Sequence, residues 1–172
     1  MICWYEFVWQ VSMIDQDNII IDFLRTGKLG PLKLGMSRTQ VIEAIDIPDA
    51  EGYQRRKDPQ NNCVLLYGET DKVNLQLAIH QGKLTGIWLY FYGNDNLSSL
   101  PNWMTMKSWL LTGSSSINHF FSIADQTGLA WRLDQSLTDE DQTTLLLSRT
   151  NLKLIWDFDL NSLYAIMLTS YQ

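Results

Sequence analysis

Cationic residues, histidine, cysteine and long apolar runs are all scarce in this chain, and each shortage removes a class of function. Thirteen Lys and Arg stand against nineteen Asp and Glu, a net charge of −6. Nucleic-acid affinity comes mainly from clustered cations on phosphates, so no such surface is expected. The one basic run, Arg55-Arg56-Lys57, is followed at once by Asp58-Pro59 and reads as a solvated loop. The two histidines, His80 and His119, have no HxH or HExxH spacing and no Ser or Cys beside them in a nucleophile signature. A metal shared by both with Asp157 or Asp159 therefore lacks support, and so does an acid–base pair of those two carboxylates, which lie beside a turn. Cys3 and Cys63 form no CxxC, and free thiols are expected over a disulfide. No phosphate loop is present, since Gly27-Lys28-Leu29-Gly30 lacks the helix that must follow one. No catalytic residue, cofactor or metal is expected. The apolar stretch from Met1 to Val11 carries Glu6, lacks a basic n-region and a cleavage site, and is too short to span a bilayer. A soluble cytoplasmic chain without a membrane partner is expected. Residues 1–12 read as an extension upstream of Met13 or as an added edge strand.

What the chain does have is apolar substance, many rings and an internal repeat. At 45% hydrophobic it can build a core, and seven Trp, seven Tyr and six Phe are enough for a ring-bearing surface as well. Gly35, Ser37 and Ile45 fall on Gly113, Ser115 and Ile123, and Tyr53 on Trp131, all 78 positions apart. Asn74, Leu75 and Leu77 fall on Asn151, Leu152 and Leu154 at 77, and Leu84, Ile87, Leu89 and Tyr92 on Leu163, Ile166, Leu168 and Tyr171 at 79. Self-similarity at a near-constant period predicts two tandem units: residues 1–95, a linker at 96–101, and residues 102–172.

Each unit reads as helix, helix, then an antiparallel meander. Ile19, Ile20, Phe23 and Leu24 share one side of a short helix that Thr26-Gly27 ends. Ser37-Arg38-Thr39-Gln40 is a capping box, followed by a helical stripe that Pro48 stops. Strands are predicted at 63–67, 73–80 and 84–92, the last two joined through Gln81-Gly82-Lys83. In the second unit helices are predicted at 104–111 and from Ser115 or Ser116 to Gly128, then strands at 129–133, 143–148, 152–158 and 163–170. The fold class is α+β, with the helices covering one face of the sheet.

The return strand of the first unit has two unlike faces. Ile87, Leu89 and Phe91 should pack under the helices, leaving Trp88, Tyr90 and Tyr92 on the other side. Gln76 and His80, with Asn74, would join them from the first unit, and Lys153, Asp157, Met167 and Tyr171 from the second. Rigid rings among amides and a few charges suit a protein-binding surface. Two placements fit: an exposed binding face, or a face packed between the units.

The string Gly35-Met36-Ser37-Arg38-Thr39-Gln40-Val41, closed by Ile47-Pro48-Asp49, resembles the signature of the β-lactamase-inhibitory-protein-like fold. That family also includes small outer-membrane-assembly lipoproteins, and the inhibitory protein is itself a tandem repeat. The wider pattern (FLRTGKLGPLKLG ending at Gly35, the capped helix, Leu66-Tyr67-Gly68 and a hairpin) is similar to uncharacterised bacterial toxin-immunity-type proteins. It covers residues 20–92 fairly well and 105–171 weakly. The resemblance implies two short helices ahead of an antiparallel sheet and a non-catalytic inhibitor of a partner protein. A basic toxin would suit the acidic balance. The alternatives are a small-molecule binder or enzyme using a cleft between the units, near His80 and Asp157, and a homodimeric structural module.

Overall fold

The computed structural model describes residues 18–45, 61–67, 74–91, 101, 103–104 and 109–170. Helix α1 (Ile19–Thr26) starts where the Asn18 side chain accepts the Ile21 N–H at 3.1 Å, and ends at left-handed Gly27, whose N–H reaches Phe23 O. Helix α2 (Arg38–Ile45) opens on the expected capping box: Gln40 Oε1 accepts the Ser37 N–H at 2.9 Å, and Ser37 Oγ accepts the Gln40 N–H at 3.3 Å. Helix α3 (Ile117–Thr127) is capped by Ser116 and closed by Gly128. Of the two candidate caps, then, Ser116 starts the helix, while Ser115 Oγ accepts the Thr112 N–H at 2.9 Å in the preceding turn.

Seven strands follow: β1 (Cys63–Tyr67), β2 (Asn74–His80), β3 (Lys83–Tyr90), β4 (Trp131–Leu133), β5 (Gln142–Leu147), β6 (Lys153–Asp157) and β7 (Ser162–Thr169). They form one antiparallel sheet in the order β1-β2-β3-β7-β6-β5-β4. The α-helices lie on one face. There α1 meets Leu168 through Gly27, and α3 sets Phe120 against Trp156, whose indole N–H donates to Ser115 O at 3.0 Å. The core between them is continuous, from Phe23, Leu24 and Leu77 to Phe120, Leu154 and Ile166. Each such side chain contributes roughly 1.5–3 kcal/mol by leaving water.

Of the helix predicted at 104–111, residues 105–108 lie outside the described residues; Met104 and Trp109 to Leu111 are non-helical, and all but Leu110 are buried. Trp109 and Leu111 are held instead by packing, with the Trp109 ring edge-on to Phe91 at 6.1 Å. The meander is also less regular than a period of two implies. A bulge pairs Ile79 with Leu84 but Ala78 with Gly86, and a second pairs Trp156 with Leu163 but Ile155 with Ala165. Thr85 and Tyr164 are the extra residues, so the inward apolar set passes from Leu84 to Ile87 and from Leu163 to Ile166. Of the two placements weighed for the ring-bearing face, the register fits an open one: the sheet halves join along one edge, β3 against β7.

Candidate functional site

The helix-free face is organised by register. Gln76 lies opposite Trp88, Trp88 opposite Met167, Met167 opposite Lys153, Lys153 opposite Leu146, and Leu146 opposite Arg132. These six residues make one row across six strands, roughly 24 Å long at the usual strand spacing. A second row runs from Asn74 through Tyr90, Ala165 and Ile155 to Thr144. Trp88, Tyr90, Gln76, His80, Lys153 and Asp157 all belong to this face and are half-buried. Tyr92, Tyr171 and Cys3 lie outside the described residues; Cys63 is a buried free thiol.

The rings do not all stand out from the sheet. Trp88 lies along its own strand over Gly86, where an added Cβ would come within 3.2 Å of Trp88 Cε2 and Nε1 and of Ala78 Cβ. Its indole N–H is buried without an acceptor among the described residues. Tyr90 meets Tyr164 edge to face at 5.7 Å. Simple alternation missed Tyr164, because the β7 bulge brings it to this face; the odd spacing between Leu163 and Ile166 was the available signal.

The charged members sit at the margins and are engaged locally. Lys153 pairs with Asp134 at 3.2 Å. Asp134 also accepts the Ser136 hydroxyl at 2.6 Å, and that bond, with Lys153, holds its carboxyl below the usual range. Asp134 thereby caps a 3₁₀ turn (Gln135–Leu137) that rests on β5, where fully buried Thr144 donates its hydroxyl to Leu137 O at 2.9 Å. Asp157 accepts the Leu160 N–H at 2.9 Å and so builds the β6–β7 turn.

His80 and Asp157 do not converge. Three strand spacings, roughly 14 Å, separate them across the sheet, and, each ending a strand of opposite direction, they stand at opposite ends of the sheet. His119 is on α3, across the sheet from His80, with Nε2 2.9 Å from Leu110 O. Among the described residues no three His, Cys, Asp or Glu gather where they could hold a metal. A small cavity of about 120 Å³ lies between the ends of α1 and α3, lined by Leu24, Arg25, Thr127, Leu129 and Arg149 among others, and it contains neither His80 nor Asp157. Among the described residues no helix is long and apolar enough to cross a membrane.

No family model matches the chain, and no curated protein sequence matches it. One solved structure is weakly similar: an extracellular protein containing a SCP domain from Bacillus anthracis str. Ames, at 9% identity and a TM-score of 0.38. The match covers 90% of this chain, which spans 46% of that protein's length.

Proposed function

We propose that the chain is a non-catalytic protein-binding module, of the immunity-inhibitor type that the Gly35 to Val41 signature resembles, which occludes a partner with its helix-free face. The carrying observation is the row Gln76, Trp88, Met167 and Lys153, beside Tyr90 and Tyr164, on a sheet whose described α-helices lie on the other side. A flat array with polar handles suits a protein surface better than a small ligand, which needs a concave site. The partner would be basic, drawn by the net charge of −6, and met in the cytoplasm.

The reading includes descent from two copies of one unit. Strand order supports it, since β1-β2-β3 is mirrored by β5-β6-β7 about the β3–β7 seam. Register supports it too. Trp88 faces Met167, its equivalent 79 positions later, while Ile87 and Leu89 pair with Leu168 and Ile166, which the same offset equates in crossed order. The two bulges, at Ala78/Ile79 and Ile155/Trp156, also fall 77 positions apart.

The test is affinity capture from the source cells with wild type and with Trp88→Ala/Tyr90→Ala, each checked for fold. One stoichiometric partner held by wild type and lost by the variant is expected, with central anchors contributing about 2 kcal/mol or more each. Retention of that partner by a folded double variant would remove the face from consideration. Elution at a dimer mass that the variant abolishes would assign the face to self-association instead.

A further inference from the structure

The β4 side of the sheet ends in an edge whose chemistry differs from the broad face. Ser148 N–H donates to Ala130 O at 2.9 Å and Asp134 N–H to Thr144 O at 2.8 Å. Antiparallel alternation then turns Ala130, Arg132 and Asp134 toward β5, while the N–H and C=O groups of Trp131 and Leu133 point outward. Among the described residues those outward groups have no partner, and every residue of β4 is exposed, Trp131 at 40% and Leu133 at 43%. Natural edges are usually blunted by charge or proline; here a tryptophan and a leucine flank a single arginine. The helix side of the edge is a prepared platform. Trp131 stacks on Phe121 at 4.7 Å and 19°, and Phe120 meets it edge-on. On the helix-free side β4 presents Arg132 alone. Exposed Arg149 lies just beyond the β5 end of the ladder, and the neighbouring acid Asp134 is already engaged by Lys153 and Ser136.

We propose that the free edge of β4 is a strand-addition site for an extended segment of another protein in which an acidic residue is flanked by apolar ones. Main-chain hydrogen bonds to Trp131 and Leu133 would give affinity, and alternate side chains would give selectivity. The acidic residue comes opposite Arg132; its apolar neighbours cover Trp131 and Leu133. Cross-strand pairing rules favour this occupant over a second copy of the chain, because a two-fold β4–β4 pairing centred on Arg132 sets like charges opposite each other. The edge lies outside the ring-bearing centre of the face, so this proposal stands independently of the reading given above.

The probe is acetyl-Val-Glu-Val-Glu-Val-amide, titrated into the full ¹⁵N-labelled chain and followed by amide chemical shifts. Saturable shifts centred on Trp131 and Leu133 are expected. The lysine-for-glutamate peptide should bind about fivefold more weakly, and Arg132→Glu should invert that order. Leu133→Pro removes one outward donor without touching the ladder to β5 and should weaken binding about three- to tenfold. Should Leu133→Pro fold poorly, a peptide N-methylated at its central residues tests the same bonds on the unaltered protein. Absence of shifts at millimolar peptide, or equal binding of the two charge forms, overturns the proposal. So does a dimer in sedimentation that Leu133→Pro abolishes, since the edge would then serve a second copy.

Discussion

Gly30 shows how a single residue fixes a distant contact. Its φ is +54°, and a Cβ there would lie 2.6 Å from Trp103 Cε3. The Trp103 ring fills that space and donates its N–H to Ala44 O at 3.1 Å, joining the end of α2 to the loop after α1. Gly30→Ala adds both left-handed strain and overlap, so an equilibrium denaturation series should show a loss of about 2–3 kcal/mol. Tyr67 makes a different point. Burial pushes its phenol up to about 12, against a lowering by Arg38 and with a smaller raising by Cys63. A phenol in the unfolded chain ionises near pH 10, so the folded state holds this proton longer. The resulting stability is fully present below about pH 10 and is lost as pH rises through about 12. Denaturant midpoints measured upward from about pH 9 should fall more steeply in wild type than in Tyr67→Phe; equal slopes would exclude this origin. Neither effect was readable in the sequence, where Gly30 and Tyr67 carry no mark of what packs on them.

At the scale of elements, what the sequence made legible was local. The Ser37–Gln40 box, the cap at Ser115 or Ser116 and the Gln81-Gly82 turn each satisfy backbone groups a few residues away, so their spacing alone announces them. Replacing Ser116 with Ala should cost about 1 kcal/mol, seen as a shift in the denaturation midpoint without a change in its slope. Where long-range contacts decide, local patterns misled. In the 104–111 stretch the described Trp109 and Leu111 serve the core without helical geometry. The bulges likewise reset which residues face inward, which is why alternation did not bring Tyr164 to the face that carries Trp88 and Tyr90. The 3₁₀ turn after β4 adds a pH dependence of its own. The Asp134 carboxyl is held low, first by the Ser136 hydroxyl and then by Lys153. Its contribution is present above about pH 3.9, the ordinary aspartate value, and is lost as pH falls through the depressed folded value. The Ser136 amide should therefore exchange faster only in strong acid, and in Asp134→Asn that acid step should be absent.

At the scale of the molecule, the β3–β7 seam makes the halves one body. α1 and α3 belong to different halves yet touch, through Arg25 to Thr127 O at 3.4 Å, and Thr150 donates its hydroxyl to Leu24 O at 3.2 Å. Unfolding should accordingly be a single transition, with near-UV and far-UV circular dichroism coincident; two separated transitions would show that each half stands alone. The repeat pointed to two similar halves, but no periodicity could say that β3 would meet β7, because strand partners across such a distance leave no local trace. That pairing also sets a timetable for synthesis. Gly86 is paired in register with Thr169, and the central rib of the sheet cannot close until β7 has been made. About 70 residues lie between the two strands, so at about 5–20 residues per second the ribosome holds β3 unpartnered on that side for roughly 4–14 seconds. During that interval Ile87 and Leu89 border an open edge in the nascent chain, so the stage most exposed to aggregation is set by translation speed rather than by the stability of the finished fold.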